Sequence, residues 1–284
     1  MPITSRPLLI FSHGNSFPAS TYGAMTELLR AKGYTVEAIE KLGHDPAYPV
    51  TSNWPHLVRQ LADFTAQQVQ QHGRPALLVG HSLGGFLSLM CAAQHPQSGG
   101  QSVQGVVLLD APIIAGWRAS MVGMAKLLGL IASVSQGAVS RKRRHHWPSK
   151  EATYLHFRTK KNFARWDDAA IHRYIEHGTL DLQGRRHLAF DRQVETAIYN
   201  ALPHHLGQLM ATHPPACPIA FIGGHQSIEL KKVGLRLTKK VTQNRIQMVD
   251  GSHLFPIENP LATAAAIDAQ VQHIMAVHAQ HANP

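Results

Sequence analysis

ALLVGHSLGGFLSLMCAAQH, residues 76–95, changes its period in the middle. Residues 76–79 form a short apolar run of strand length, and residues 83–95 follow a helical period halted before Pro96. Between them Gly80-His81-Ser82-Leu83-Gly84 matches the G-x-S-x-G turn, in which a sharp strand-to-helix reversal holds the serine in a strained backbone conformation. The flanking glycines are steric requirements, because helix and strand must pack tightly there. A serine at an ordinary helix N-cap would explain Ser82 but not both glycines after a buried strand. The context marks Ser82 as a candidate nucleophile. The N–H of Leu83, at a helix N-terminus, would point toward the oxyanion formed on attack.

Working outward, residues 8–12 read as a strand, 19–32 as a helix ending near Gly33, 35–39 as a strand and 53–72 as a helix stopped by Gly73. Residues 103–109 read as the next strand. Such alternation arises when crossover helices cover both faces of a parallel sheet, so the expected class is α/β, a mostly parallel doubly wound sheet. After Asp110-Ala-Pro112 the alternation breaks, and it returns at Pro218 with strands over 219–222 and 246–249 and a closing Ala-rich helix over 262–279. Residues 1–111 and 216–284 are thus expected to form the core, with 112–215 as an inserted helical cap. The apolar run 121–134 reads as part of a lid, since it is well short of the roughly 20 residues that span a bilayer.

Composition narrows the function classes. With 44% hydrophobic and 15% charged residues, the 284-residue chain fits a soluble globular protein. No export signal is visible at the N-terminus, which points to the cytoplasm. The formal charge of +10 raises the question of nucleic acid, and its densest part is the run at 141–146. That run lacks interleaved aromatics and a recognisable nucleic-acid module, so it reads as a solvated surface loop and no nucleic-acid partner is expected. Cys91 and Cys217 lack the spacing of a zinc site or redox pair and read as free thiols.

The remaining chemistry requires a base and a second oxyanion donor. His13-Gly14 ends the first strand, where such a pair commonly turns the chain so that a following N–H completes the oxyanion hole. Asn15 is the chosen donor, with Ser16 left open; His13 itself orients the loop. Among 20 histidines, position selects His253, which follows the last predicted strand in Val249-Asp-Gly-Ser-His-Leu-Phe-Pro256, where loops of a parallel sheet gather at its carboxyl edge. His44 and Asp45 could border the same cleft, although a simple turn explains them.

With HG at 13–14, GHSLGG at 80–85 and GSHLFPIENP at 251–260, the chain resembles the α/β-hydrolase superfamily over nearly its whole length. The stretch KKNFARWDDAAIHRYIEHG is similar to the helical lid of esterase and epoxide-hydrolase relatives, while serine at position 82 argues against epoxide-hydrolase or dehalogenase chemistry. The resemblance implies an acid in a G-x-x-D pattern after the penultimate strand, but Ser227 stands there. Two carboxylates remain, Asp110 at the end of the strand after the nucleophile helix and Glu229 two residues beyond the usual place, with Asp110 preferred. The expected function is a serine hydrolase of the carboxylesterase type, acting on an apolar ester or thioester without metal or organic cofactor. Carbon–carbon bond hydrolysis by the same residues, or a non-catalytic ligand receptor, are the alternatives. The substrate would lie between the sheet edge and the cap, where Trp117, Trp147, Phe157, Phe163 and Trp166 are assigned to the lid core before the ligand.

Overall fold

Strands that are apolar on both sides demand cover on both faces, and the crossover helices supply it. The structure is a computed structural model that describes residues 6–98, 101–113 and 137–282. Strands β1 (Leu8–Ser12), β2 (Thr35–Ala38), β3 (Ala76–His81), β4 (Gly105–Leu109), β5 (Ile219–Gly224) and β6 (Ile246–Val249) form one sheet in the order β6-β5-β4-β3-β1-β2. Every pairing is parallel. Side-chain alternation divides each strand between two cores. Leu8 and Ile10 of β1 face one core with Leu57, Leu61 and Leu87, from α2 (Pro55–His72) and α3 (Leu83–Gln94). Leu9 and Phe11 face the other, with Met25 of α1 (Gly23–Ala31) and Ile267 of α4 (Pro260–Ala282). Each such Leu or Ile contributes about 1.5–3 kcal/mol by leaving water.

Two boundaries move for local reasons. The helix expected from residue 53 begins at Pro55, because Asn53 and Trp54 hold φ of 66° and 61°, which no right-handed helix accepts, and proline suits the first helical position. The helix expected from residue 19 opens as a separate 3-10 turn, Ala19–Tyr22, before α1.

Between β4 and β5 the helical expectation is incomplete. Helices Lys150–Arg158, Asp168–Gly178, Arg192–Asn200 and Leu206–Thr212 are joined by a three-stranded antiparallel sheet of His146–Trp147, Arg185–Leu188 and Thr179–Leu182. Its hairpin turns on Gln183 and Gly184, with φ of 55° and 79°, and the Gly184 N–H donates to Asp181 Oδ1 at 2.9 Å. Trp147, Phe157, Phe163 and Trp166 pack with Tyr174 as the core of this segment. Trp117 and the apolar run 121–134 lie outside the described residues.

The basic run at 141–146 is not a solvated loop throughout. Arg143 is largely buried and donates to Glu195 Oε2 at 2.8 Å and to the Tyr174 hydroxyl at 3.3 Å, while His146 enters the small sheet. A buried carboxylate needs such a partner, so at least one charge of the run belongs to the interior. Both cysteines are free thiols, and burial pushes the Cys91 thiol up to about 12. Among the described residues, no helix is long and apolar enough to cross a membrane.

Candidate active site

The carboxyl ends of β1, β3, β4 and β6 lead to His13, Ser82, Asp110 and His253 in turn. Ser82 occupies φ 51°, ψ −113°, and its N–H donates to Leu109 O at 3.0 Å. A side chain at the neighbouring glycines would collide with backbone. A Cβ on Gly80 would stand 2.2 Å from Gly84 O, and one on Gly84 would stand 2.0 Å from Ser12 O. Strand and helix thus approach as closely as the motif reading requires, and the close approach holds Ser82 in its strained turn. Leu83 opens α3, so its N–H has no acceptor within the helix.

Opposite it, the loop after β1 is pinned by its own polar groups. The Leu42 N–H donates to His13 Nε2 at 2.8 Å, which leaves Nδ1–H to donate to Gly14 O at 2.8 Å. Burial lowers the His13 pKa to about 4. With both nitrogens engaged, His13 orients the loop. Asn15 and Ser16 are buried, Ser16 at φ 79°, and neither N–H is bonded to a described residue. The Asn15 amide donates to Glu195 O at 3.1 Å.

Of the two candidate acids, Asp110 meets the histidine. Its Oδ2 lies 2.7 Å from His253 Nδ1, a contact between residues 143 apart in sequence. The Gly224 N–H donates to its Oδ1 at 3.0 Å, and the Ser227 hydroxyl donates to its Oδ2 at 2.5 Å. Ser227, standing where the resemblance implies an acid, therefore supports one delivered from another strand. Asp110 is fully buried and sits at φ 44°, a strain retained where the surroundings over-determine the backbone. Glu229 is half-buried, and its carboxylate lies within 4.8 Å of both the Asp110 and His253 donor atoms. It has no hydrogen bond or ion pair with a described residue. These three side chains are also a trio of metal-capable type, but Asp110 already accepts from Gly224, Ser227 and His253, which leaves little directed at a cation.

Electrostatics follow from that placement. Burial alone would lower the His253 pKa; the hydrogen bond and charge of Asp110, with Glu229 and Glu258 beyond, outweigh it and raise the value above that of ordinary histidine. An imidazole held through Nδ1 by a buried carboxylate has one tautomer, with Nε2 left to accept a proton.

Residues 9–266 match the Alpha/beta hydrolase family. The chain belongs to that family. This alpha/beta hydrolase is 33% identical to a pyrethroid hydrolase of Sphingobium wenxiniae over 110 residues, 38% of this chain and 36% of that one. It is 26% identical to the monoglyceride lipase of Rattus norvegicus over 144 residues, 48% of this chain and 46% of the lipase. The aligned parts thus span between a third and a half of these curated relatives. Among solved structures, E-2-(acetamidomethylene)succinate hydrolase superposes with a TM-score of 0.68 at 20% identity, over 93% of this chain and 90% of its own. The thioesterase domain from the curacin biosynthetic pathway reaches 0.69 at 20% identity, over 92% and 91%.

His44 and Asp45, read from the sequence as a simple turn before a border of the hydrolase's cleft, take separate parts. His44 accepts from the Asp191 N–H at 3.0 Å through Nε2, and Asp45 accepts from the Ala47 N–H at 2.9 Å, so one tethers the 112–215 segment and the other closes a turn. A cavity of about 700 Å³, lined by Met210, Pro214, Cys217, Leu237, Arg245 and Val277, opens at the amino edge of the sheet, the end opposite Ser82. Tyr22 and His81, which sequence reading did not single out, are buried beside the site. The only local signal for His81 was its place inside the motif, at a position that the motif leaves unspecified.

Proposed function

We propose that this hydrolase cleaves uncharged carboxylic esters or thioesters through an acyl-enzyme on Ser82. His253 Nε2 takes the Ser82 proton as Oγ attacks the carbonyl carbon, and Asp110 stabilises the imidazolium so formed. The N–H groups of Leu83 and Asn15 receive the oxyanion. As the intermediate collapses, the imidazolium gives its proton to the departing alkoxide or thiolate. Water, deprotonated by the regenerated imidazole, then attacks the acyl carbon; the bond from that carbon to Ser82 Oγ breaks, the imidazolium returns its proton to Oγ, and the acid is released.

The observation that carries this reading is the 2.7 Å Asp110–His253 contact at the same sheet edge as a serine held at φ 51°. Relatives named as a pyrethroid hydrolase and a monoglyceride lipase support hydrolysis of small substrates. Residues 112–215 act as the cap over the acyl group, a role supported by three ties to the core: Trp54 Nε1 to Ile198 O at 3.1 Å, Asn15 to Glu195 O, and Asp191 to His44.

The test is turnover of short- and medium-chain nitrophenyl esters by wild type and Ser82→Ala. Turnover by wild type and its loss by at least about 10³-fold in the variant are expected. A wild type that neither hydrolyses any ester nor labels with a fluorophosphonate would sink the reading and leave a non-catalytic ligand receptor in its place.

A further inference from the structure

Three hydrogen bonds, two of them buried and the third part-buried, join the loop after β1 to the loop after β6. The Gly14 N–H lies 3.1 Å from the Tyr22 hydroxyl, that hydroxyl lies 2.7 Å from His81 Nδ1, and His81 Nε2 lies 2.8 Å from the main-chain oxygen of His253. For a neutral His81 ring, only one assignment of protons satisfies all three. The Gly14 N–H can only donate and the His253 carbonyl can only accept. His81 must therefore carry its proton on Nε2, its Nδ1 must accept, and the Tyr22 O–H must donate to it. Given the serine-hydrolase reading above, on which this depends, we infer that Tyr22 and His81 are positioning residues that lock the oxyanion loop and the general base into one rigid unit.

Three further features fit that role. A Cβ on Gly14 would stand 2.8 Å from His81 Nδ1 and 2.9 Å from the Tyr22 hydroxyl, so the glycine after His13 is what lets the network close. Tyr22 and His81 are each about 1% exposed, which removes water as a substitute partner and makes every missing bond costly. The His81 ring centroid is 4.9 Å from that of His253, so a charge on His81 would oppose the imidazolium needed for catalysis. The groups facing His81 are His253, Asp110, His13 and Tyr22, and burial dominates over all of them, lowering its pKa to about 3. His81 therefore stays neutral through the working range, in the tautomer that the three bonds demand. Acting through a main-chain carbonyl, the chain fixes where the His253 ring stands without touching substrate.

The test compares Tyr22→Phe, His81→Leu and His81→Gln with wild type on a nitrophenyl ester, with thermal unfolding as a check on folding. Misplacing a catalytic group by about 1 Å can cost on the order of 100-fold, so Tyr22→Phe is expected to lose about tenfold in kcat and His81→Leu about 100-fold, with KM within about twofold. His81→Gln, whose amide can still donate to the His253 carbonyl, should recover part of the His81→Leu loss. Both Tyr22→Phe and His81→Leu within twofold of wild-type kcat, or a Gln variant no better than Leu, would overturn the inference. Nitrogen-15 NMR of the His81 ring supplies a readout free of turnover. Nδ1 should show the shift of an accepting, unprotonated nitrogen from pH 5 to 8 and change in Tyr22→Phe, whereas a His81 that titrates in that range contradicts the assignment. A wild type without esterase activity would sink the hydrolase reading by itself, and the ring spectrum would still decide whether the four-residue chain of bonds exists.

Discussion

His253 stands between Asp110, Glu229, Glu258 and the neutral ring of His81, and in the proposed mechanism it has to be uncharged before it can accept the Ser82 proton. Because its pKa is raised, the rise of kcat/KM with pH should have its midpoint above the ordinary histidine value of about 6.5. Glu229→Gln removes one of the charges that favour the imidazolium, so that midpoint should move down; an upward move or none in the pH profile would contradict the placement of Glu229. Asp110→Asn removes the direct partner and should lower kcat by roughly 10²–10⁴-fold, well beyond the loss in Glu229→Gln. The linkage to folding has the opposite sense. A folded-state pKa above the unfolded one stabilises the protein at pH below the unfolded value, and that contribution fades as pH rises through the folded value. Alkaline conditions thus favour the reactive form of His253 while giving up its share of stability. From the sequence, His253 was legible by position, whereas the two acids stayed open because both follow the carboxyl end of a strand and linear order does not measure their distance to an imidazole.

The strand–turn–helix element around Ser82 was legible because its constraints are local. The Cβ that any other residue would place at Gly84 meets main chain, which has no rotamer to escape into. Gly84→Ala is therefore expected to cost about 2–3 kcal/mol in urea unfolding and to abolish labelling of Ser82 by a fluorophosphonate. Gly73→Ala is the contrasting case, since its Cβ would meet nothing within 4 Å and only the φ of 63° opposes it. About 1 kcal/mol is expected there, with labelling intact. Equal losses at the two positions would mean that helix capping, and not close approach to β1, governs Gly84. The 179–188 hairpin escaped notice for a different reason. Gln-Gly is a weaker turn signal than Asn-Gly, and the strands are four residues each, too short for alternation to stand out from the surrounding helices.

Across the whole molecule, Asp268 on α4 ties the closing helix to the beginning of the chain. Arg6 donates to its Oδ1 at 2.7 Å, Lys32 to its Oδ2 at 3.0 Å and the Tyr34 hydroxyl to its Oδ1 at 2.7 Å. Burial opposes the charge, but these donors with Gln272 prevail and hold the carboxyl at about 2. A depressed folded-state pKa stabilises above the unfolded value and loses its effect as pH falls from about 4 through about 2. Since Arg6 and Lys32 are well exposed, Asp268→Asn should cost only about 1–2 kcal/mol at pH 7. The gap between wild type and variant in urea unfolding should close toward pH 2; a gap independent of pH would show that packing and not charge is lost. Sequence by itself determined the α/β class, the strained serine turn, the placement of His253 after the last strand and the serine in place of the usual acid, because period, steric room and chain order are properties of neighbouring residues. Only the tertiary structure decided that Asp110 and not Glu229 bonds His253, and that Tyr22 and His81 bridge two loops. The parallel pairing of Leu109 with Ile222 sets Asp110 level with the end of β5, where Gly224 and Ser227 can hold its oxygens toward His253. Such contacts depend on strand order and register, which bring together residues that no local pattern connects.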